Sequence, residues 1–326
     1  MSVPGGWDYE LLQLAAPVSK EWMYHVPNNQ TYTLEKRLAL GPDDLSAIRH
    51  LVEICEAADH APVRISWTML QARAGLLPLD VCCYLDGLLV GYLFMDHYDP
   101  KERETVILVH PAYRRRGIGQ ALLAEAREPC RQMGVERIVL LCERRVPAGA
   151  AFCERVGARF DFAEHEMALG EFQPRNARAS DLLFRRAEAS DLDALVAIQA
   201  SSFGEPEDEV RPRIIDRWQD PTSRRYIVTF SPAQTGSTEP VGMVRLAAEA
   251  GETGIYGLGV APAYQGRGYG RQIVEEAIRI ARAENPQQAI MLDVAVSNTR
   301  AFNLYRSCGF QVRATYDYYA LPVDEA

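Results

Sequence analysis

Residues 260–271 read VAPAYQGRGYGR, and residues 109–120 read VHPAYRRRGIGQ. Each places Pro-Ala-Tyr before a polar residue and two closely spaced glycines, Gly268 and Gly270 in one copy, Gly117 and Gly119 in the other. An apolar run precedes each (TGIYGLGV; ETVILVH), and a long amphipathic stretch follows (GYGRQIVEEAIRIARAEN; GIGQALLAEAREPCRQMG). That pattern predicts strand, glycine-rich turn and helix, written twice. The copies keep register: Pro111 and Pro262 are 151 residues apart, as are Gly117 and Gly268, while Gly157 and Gly309 are 152 apart. So long a period marks a duplicated domain, since solenoid units run to roughly 20–50 residues.

Each half repeats the same order further out. A strand-like opening (YTLEKRLAL; LLFRRAE) leads to an Asp-containing cap and a helix (DDLSAIRHLVEICEAA; SDLDALVAIQASSF). Apolar runs follow, with a hairpin expected to turn at Asp86-Gly87, a pair suited to the positive φ angles of a tight turn. After the glycine-rich turn and its helix come a strand (RIVLLC; AIMLDVAV), a short helix and closing strands. The expected fold class is α/β with a mixed sheet in each of two tandem domains, 32–170 and 182–326. Residues 171–181 read as a linker containing Pro174, and residues 1–31 as an extension without a counterpart.

A helix entered through glycines leaves its first N–H groups unpaired and converging on one spot. With the helix dipole this favours an anion, and a phosphate can approach closely where side chains are missing. Neither loop has the GxxxxGK[ST] spacing of a P-loop or the GxGxxG of a dinucleotide fold, so a pyrophosphate cradle of another kind is expected. The alternative, two glycines that only make a tight turn, has to apply to both copies.

Strand, V-x-P-x-Y, then [Q/R]-x-x-G-x-[G/A] opening a helix resembles motif A of the GNAT-type N-acetyltransferase superfamily. The later NTRAFNLYRSCGF is similar to its motif B. The resemblance spans both halves, and the tandem layout is similar to that of mycothiol synthase-like proteins. It implies two GNAT-like acyl-CoA N-acyltransferase domains, acetyl-CoA as cosubstrate and a primary amine of a small metabolite as acceptor, by direct attack. In the second half it implies a cofactor site of Leu258, Val260, Gln265, Gly266, Arg267, Gly268, Tyr269, Gly270, Arg271 and Asn298. In the first it implies Val109, Arg114, Arg115, Arg116, Gly117, Ile118 and Gly119, the arginines being suited to phosphates. Tyr305 matches the family's proton donor to the departing thiolate, although Ala301, Leu304, Tyr305 and Cys308 also make a helical stripe that would simply pack.

Two departures qualify the resemblance. The glutamate that relatives carry as base falls at Gly254 here; Glu252 is the substitute expected, with Glu249 and Asp293 as further choices. In the first half Cys153 stands where Tyr305 stands in the second, and Val146 where Asn298 stands. That half is therefore expected to keep the nucleotide fold and lose the chemistry, leaving the second catalytic. His110 is read as a residue before Pro111 and not as a base. Glu205, Glu207, Asp208 and Glu209 follow the first helix of the second half; they would either attract a cationic amine or form a solvated charged loop. Other readings of the chain are a non-catalytic acyl-CoA-binding sensor or scaffold, and an acetyltransferase of protein lysines or N-termini.

Composition sets outer limits. The formal net charge of −9 argues against a nucleic-acid binder. No apolar run approaches the roughly 20 residues of a membrane span, and the N-terminus lacks the layout of a secretory signal. Seven cysteines, odd in number and without CxxC pairs, read as reduced residues of a cytoplasmic protein. With 6 histidines, none spaced with the cysteines as ligands would be, no metal site is expected.

Overall fold

The structure, a computed structural model, describes residues 22–26, 30–73, 75, 77–96, 99–174, 182–231, 238–249 and 251–324. Most of the expected extension 1–31 and of the linker 171–181 lies outside the described residues.

The chain forms two compact units, and their limits fall at 164/165 and 313/314. The first unit, called the N-terminal unit here, carries β1 (Trp22–Val26), β2 (Gln30–Arg37), α1 (Pro42–Asp59), α2 (Trp67–Gln71), β3 (Asp80–Leu85), β4 (Leu88–Met95), β5 (Glu102–Val109), α3 (Ile118–Gln132), β6 (Arg137–Glu143), α4 (Pro147–Arg155) and the start of β7 (Arg159–Leu169). The C-terminal unit takes the end of β7 and then β8 (Leu182–Arg186), α5 (Leu192–Phe203), α6 (Glu207–Asp216), β9 (Ser223–Phe230), β10 (Glu239–Glu249), β11 (Glu252–Val260), α7 (Tyr269–Glu284), β12 (Ala289–Ala295), α8 (Thr299–Cys308) and the start of β13 (Phe310–Pro322). The mixed α/β architecture expected of each half is present.

Local chemistry explains the elements. Asp44 accepts from the Gly41 N–H at 2.9 Å and closes the entry to α1. Asp86 and Gly87 both take positive φ, 49° and 79°, as the two-residue turn between β3 and β4 requires. Within the N-terminal unit β2 to β5 pair antiparallel and β5–β6 is parallel. In the C-terminal unit β8 to β11 are antiparallel and β11–β12 parallel.

The duplication describes the sequence, whereas the compact units exchange strand ends. From Ala314 onward β13 belongs to the N-terminal unit, where Tyr316 to Pro322 pair antiparallel with Glu143 to Arg137 of β6. Tyr316, Tyr318, Leu321 and Val323 are buried there. Conversely, the end of β7 neighbours β12, and its Met167 is fully buried in the C-terminal core with Ile255, Ile278 and Phe310.

Candidate active site

Both parallel pairs open into a split. Between β11 and β12 the pairing ends at Ile255–Leu292, although the strands continue to Val260 and Ala295. Between β5 and β6 it ends at Thr105–Leu140, with the strands continuing to Val109 and Glu143. β11 also shifts register against β10 between Met243 and Arg245, beside Gly257, which takes a φ of 54°. Such a bulge turns backbone groups out of the ladder next to the split.

At the mouth of each split a helix starts without a side-chain cap: α7 after Gly268 and α3 after Gly117, at φ 84° and 83°. Their first N–H groups are left for an anion. The two loops are built alike. Arg267 donates to the Ala263 carbonyl and lies over the Tyr264 ring; Arg116 does the same with Ala112 and Tyr113. Gly266 has a φ of 78°, and Arg115 takes the matching left-handed conformation at 65° without being glycine. Gln265 spans the C-terminal loop, donating to the Val260 carbonyl at 3.0 Å and accepting from Arg300 at 2.9 Å. Tyr269 packs against Tyr264 and Phe230, and a Cβ at Gly270 would touch Leu304 of α8.

Several residues expected to touch the cofactor are engaged elsewhere. Arg114 makes a bidentate pair with Asp59 at 2.6 and 2.7 Å and also donates to the Val109 carbonyl. Arg271 pairs with Glu275 of its own helix and ties α7 to α8 through Ser307. Asn298 caps α8 by accepting from the Ala301 N–H at 3.0 Å. His110 accepts from the Ala112 N–H and caps the turn after β5.

Tyr305 projects from α8 into the C-terminal core, 9% exposed and edge-on to Phe310. Burial pushes its pKa up to about 12, so the hydroxyl keeps its proton. At the corresponding place in the N-terminal unit, Cys153 is fully buried with its sulfur 3.3 Å from that of Cys142. The hydrogen bond to Cys142, and then burial, raise the Cys153 thiol far above its ordinary range. A cavity of about 530 Å³ opens beside these thiols, lined by Val109, Arg115, Gly117, Gly119, Leu141 and Phe152.

Glu252 is not brought to the split. It begins β11 and is held by Arg313 at 2.7 Å. Leu258 and Val260 lie six and eight residues further along, roughly 20–26 Å away at strand rise. Asp293 is nearer: Ile290, Leu292 and Val294 of β12 face the α7 core, which puts Asp293 on the opposite face. The acidic residues at 207–209 form the exposed first turn of α6, where they suit the helix dipole, and Glu205 pairs with Arg213 at 2.9 Å.

Sequence reasoning missed Tyr256. A Cβ at Gly254 would overlap its ring, so Tyr256 fills the space in which a side chain at position 254 would stand. The signal was available in the i, i+2 alternation that puts 254 and 256 on one face. Among the described residues no cluster of His, Cys, Asp and Glu suited to a metal is found, and no helix is long and apolar enough to cross a membrane.

A split parallel pair beside an uncapped helix, present twice, defines a tandem acyltransferase. The acetyltransferase (GNAT) family model matches residues 47–158 and again 192–310, and the chain belongs to that family as an N-acetyltransferase of the acetyl-CoA-dependent class. It is similar to the mycothiol acetyltransferase of Kineococcus radiotolerans, 28% identical over 301 residues that cover 86% of this chain and 94% of that one. The mycothiol acetyltransferase of Salinispora arenicola is 27% identical, covering 83% and 91%. Among solved structures, a GCN5-related N-acetyltransferase from Sphaerobacter thermophilus superposes with a TM-score of 0.74 at 20% identity, covering 93% of this chain and 98% of that one. A tandem GNAT protein from the clavulanic acid biosynthesis pathway gives 0.63 at 18% identity, covering 90% and 99%.

Proposed function

We propose that the C-terminal half transfers an acetyl group from acetyl-CoA to a primary amine of a small metabolite by direct attack. The observation that carries this is the open β11–β12 split with the uncapped start of α7 after it; the same half holds Tyr305 of α8, whose hydroxyl burial keeps protonated. The residues fit the cosubstrate. Residues Gln265 to Gly270 would hold its pyrophosphate on backbone N–H groups, and the free edge of β11 near Leu258 and Val260 would take the arm. When bound, acetyl-CoA supplies an already activated acyl group, so the chain's task is mainly positioning. A backbone N–H at the bulge near Leu258 stabilises the developing oxyanion. Tyr305 gives its hydroxyl proton to the departing sulfur. The base role expected of Glu252 is not part of this proposal, because Glu252 is paired with Arg313 far down the strand; the amine attacks in its neutral form, the proton its nitrogen sheds on becoming an amide passes to water, and Tyr305 regains its proton from solvent. The relatives named mycothiol acetyltransferase support a small-molecule acceptor over a protein one.

The N-terminal half is proposed to bind an acyl-CoA without turning it over. Its cavity and uncapped α3 support binding, and Cys153 in the place of Tyr305 supports the loss of chemistry. Calorimetric titration with acetyl-CoA tests both statements. Wild type should bind at two sites, and Gly268→Glu, which puts a carboxylate into one cradle, should bind at one. No binding by wild type would contradict the reading.

A further inference from the structure

The wall of the N-terminal cavity carries two thiols for which the proposed acetyl transfer has no use. Gly117 and Gly119 at the start of α3 line this cavity, as do Val109 and Leu141 at the β5–β6 split, and so do Cys142 and Cys153. The Cys142 sulfur lies 3.3 Å from the Cys153 sulfur, and the two are hydrogen-bonded to each other. All seven cysteines are free thiols, and six of them are buried. Cys142 is the exception, half-buried on the cavity wall.

The chain is shaped to bring them together. Cys142 lies near the end of β6 and Cys153 on α4. Gly149 is one helical turn before Cys153 and so shares its face of α4. A Cβ at Gly149 would stand 3.0 Å from the Cys142 sulfur and 3.2 Å from its Cβ, so the missing side chain lets α4 settle on Cys142. The second half has no such pair. The places 152 residues further on hold Val294 and Tyr305, which belong to one apolar core. One buried cysteine is an ordinary small apolar filler. Two of them, replacing both members of a packed pair and meeting sulfur to sulfur on a cavity wall, make a dithiol. The carboxylates on that wall are already engaged, Asp59 with Arg114 and Glu143 with Arg145, whereas Arg115 and Arg155 add positive charge to it.

We propose that Cys142 and Cys153 are a thiol–disulfide exchange site, and that the N-terminal cavity takes CoA in its disulfide form. The inference rests on the CoA binding proposed above for this half. A CoA held at the start of α3 with its arm in the split would bring its sulfur to the place that Tyr305 fills in the other half, and here that place is Cys153. Cys142, the reachable thiol, gives its proton to water and attacks one sulfur of CoA disulfide. The bond between the two CoA sulfurs breaks, a Cys142–CoA disulfide forms, and the first CoA leaves as a thiolate that takes a proton from water. Cys153 then attacks the Cys142 sulfur. The Cys142–CoA bond breaks, a Cys142–Cys153 disulfide forms, and the second CoA departs with the proton that Cys153 sheds. Two electrons have passed from the dithiol to CoA disulfide. The order of attack follows from the surroundings. Cys153 keeps its proton first through the hydrogen bond to Cys142 and then through burial, and charge on Cys142 acts in the same direction. Once capped by CoA, Cys142 carries neither a thiol proton nor a charge, and Cys153 is freed to act.

The test uses the reduced full chain, mixed under nitrogen with CoA disulfide, glutathione disulfide or cystamine. Released thiol, intact mass and peptide mapping without reductant are followed. With CoA disulfide, wild type should release both CoA molecules, lose two hydrogens in mass and yield Cys142 linked to Cys153. Cys153→Ala should stop halfway, with one CoA released and the other bound at Cys142, and Cys142→Ala should do neither. CoA disulfide should react about 10-fold or more faster than the other two disulfides, the advantage of a bound reactant, and Gly117→Glu should erase that advantage. Thermal unfolding shows whether the variants fold, and the wild-type map needs none of them. An unmodified Cys142 in wild type, a link through Cys55 of the same cavity wall in its stead, or equal rates with all three disulfides would overturn the inference. Acetyl-CoA calorimetry on Gly268→Glu separates the two levels. If that chain binds acetyl-CoA while Cys142 stays unmodified, the exchange fails and the proposed CoA site stands; if it binds none, the proposed CoA site fails as well.

Discussion

Tyr305 and Cys153 occupy matching places in the repeat, 152 residues apart, and in the proposed function this difference is what separates the two halves. A phenol held at a pKa of about 12 by burial is a proton donor throughout the neutral range. Its replacement in Tyr305→Phe should lower kcat by about 10²–10⁴-fold, the usual worth of a general acid, with acetyl-CoA affinity nearly unchanged. The sign of the pH effect follows from the direction of the shift. Below about 10 the hydroxyl is protonated in any case, and loss of the donor sets in only as the pH climbs toward 12. An alkaline limb centred near 10, the ordinary tyrosine value, would contradict the assignment. The place of Tyr305 on a short helix between Asn298 and Gly309 was readable from the sequence. The misplacement of Glu252 was not, because a sequence does not show that Arg313, on a strand more than sixty residues on, claims its carboxylate.

At the level of elements, the glycines were legible in their conformation but not in their surroundings. Gly309 ends α8 at a φ of 107°, and a Cβ there would run into the Glu171 carbonyl; its counterpart Gly157, at 84°, has open space. Gly157→Ala should cost about 1–2 kcal/mol from the left-handed backbone alone. Gly309→Ala should cost clearly more, because the backbone of residues 171–172 must also move. Urea unfolding of the two variants measures the difference, and equal losses would mean that the loop after β7 yields freely. The strand–loop–helix units and the Asp86-Gly87 hairpin were evident from apolar period and turn residues. Helix α6 was not: Pro206, Pro212 and a run of acids read as loop, yet the acids stabilise its first turn and Pro212 lies within the helix.

For the whole molecule, the exchange of strand ends means that the C-terminal segment supports the other half of the chain. Tyr316, Tyr318, Leu321 and Val323 are buried in the N-terminal unit, each worth about 1.5–3 kcal/mol. Deleting residues 314–326 should therefore expose the backbone of β6, and hydrogen exchange at residues 137–143 should become fast. Retained protection of β6 would show that the strand is dispensable. Alternating apolar residues in TYDYYALPV announce a strand, but alternation names no partner, which is why the exchange could not be read from the sequence.

The central claim is that one half of a duplicated chain does the chemistry. Its most direct test is CoA release from acetyl-CoA with a mixture of small amines, comparing Gly117→Glu with Gly268→Glu. The account predicts that Gly117→Glu keeps its turnover while Gly268→Glu loses about 100-fold or more, as misplacement of a bound reactant does. Loss confined to Gly117→Glu, or equal turnover by both variants, would contradict it.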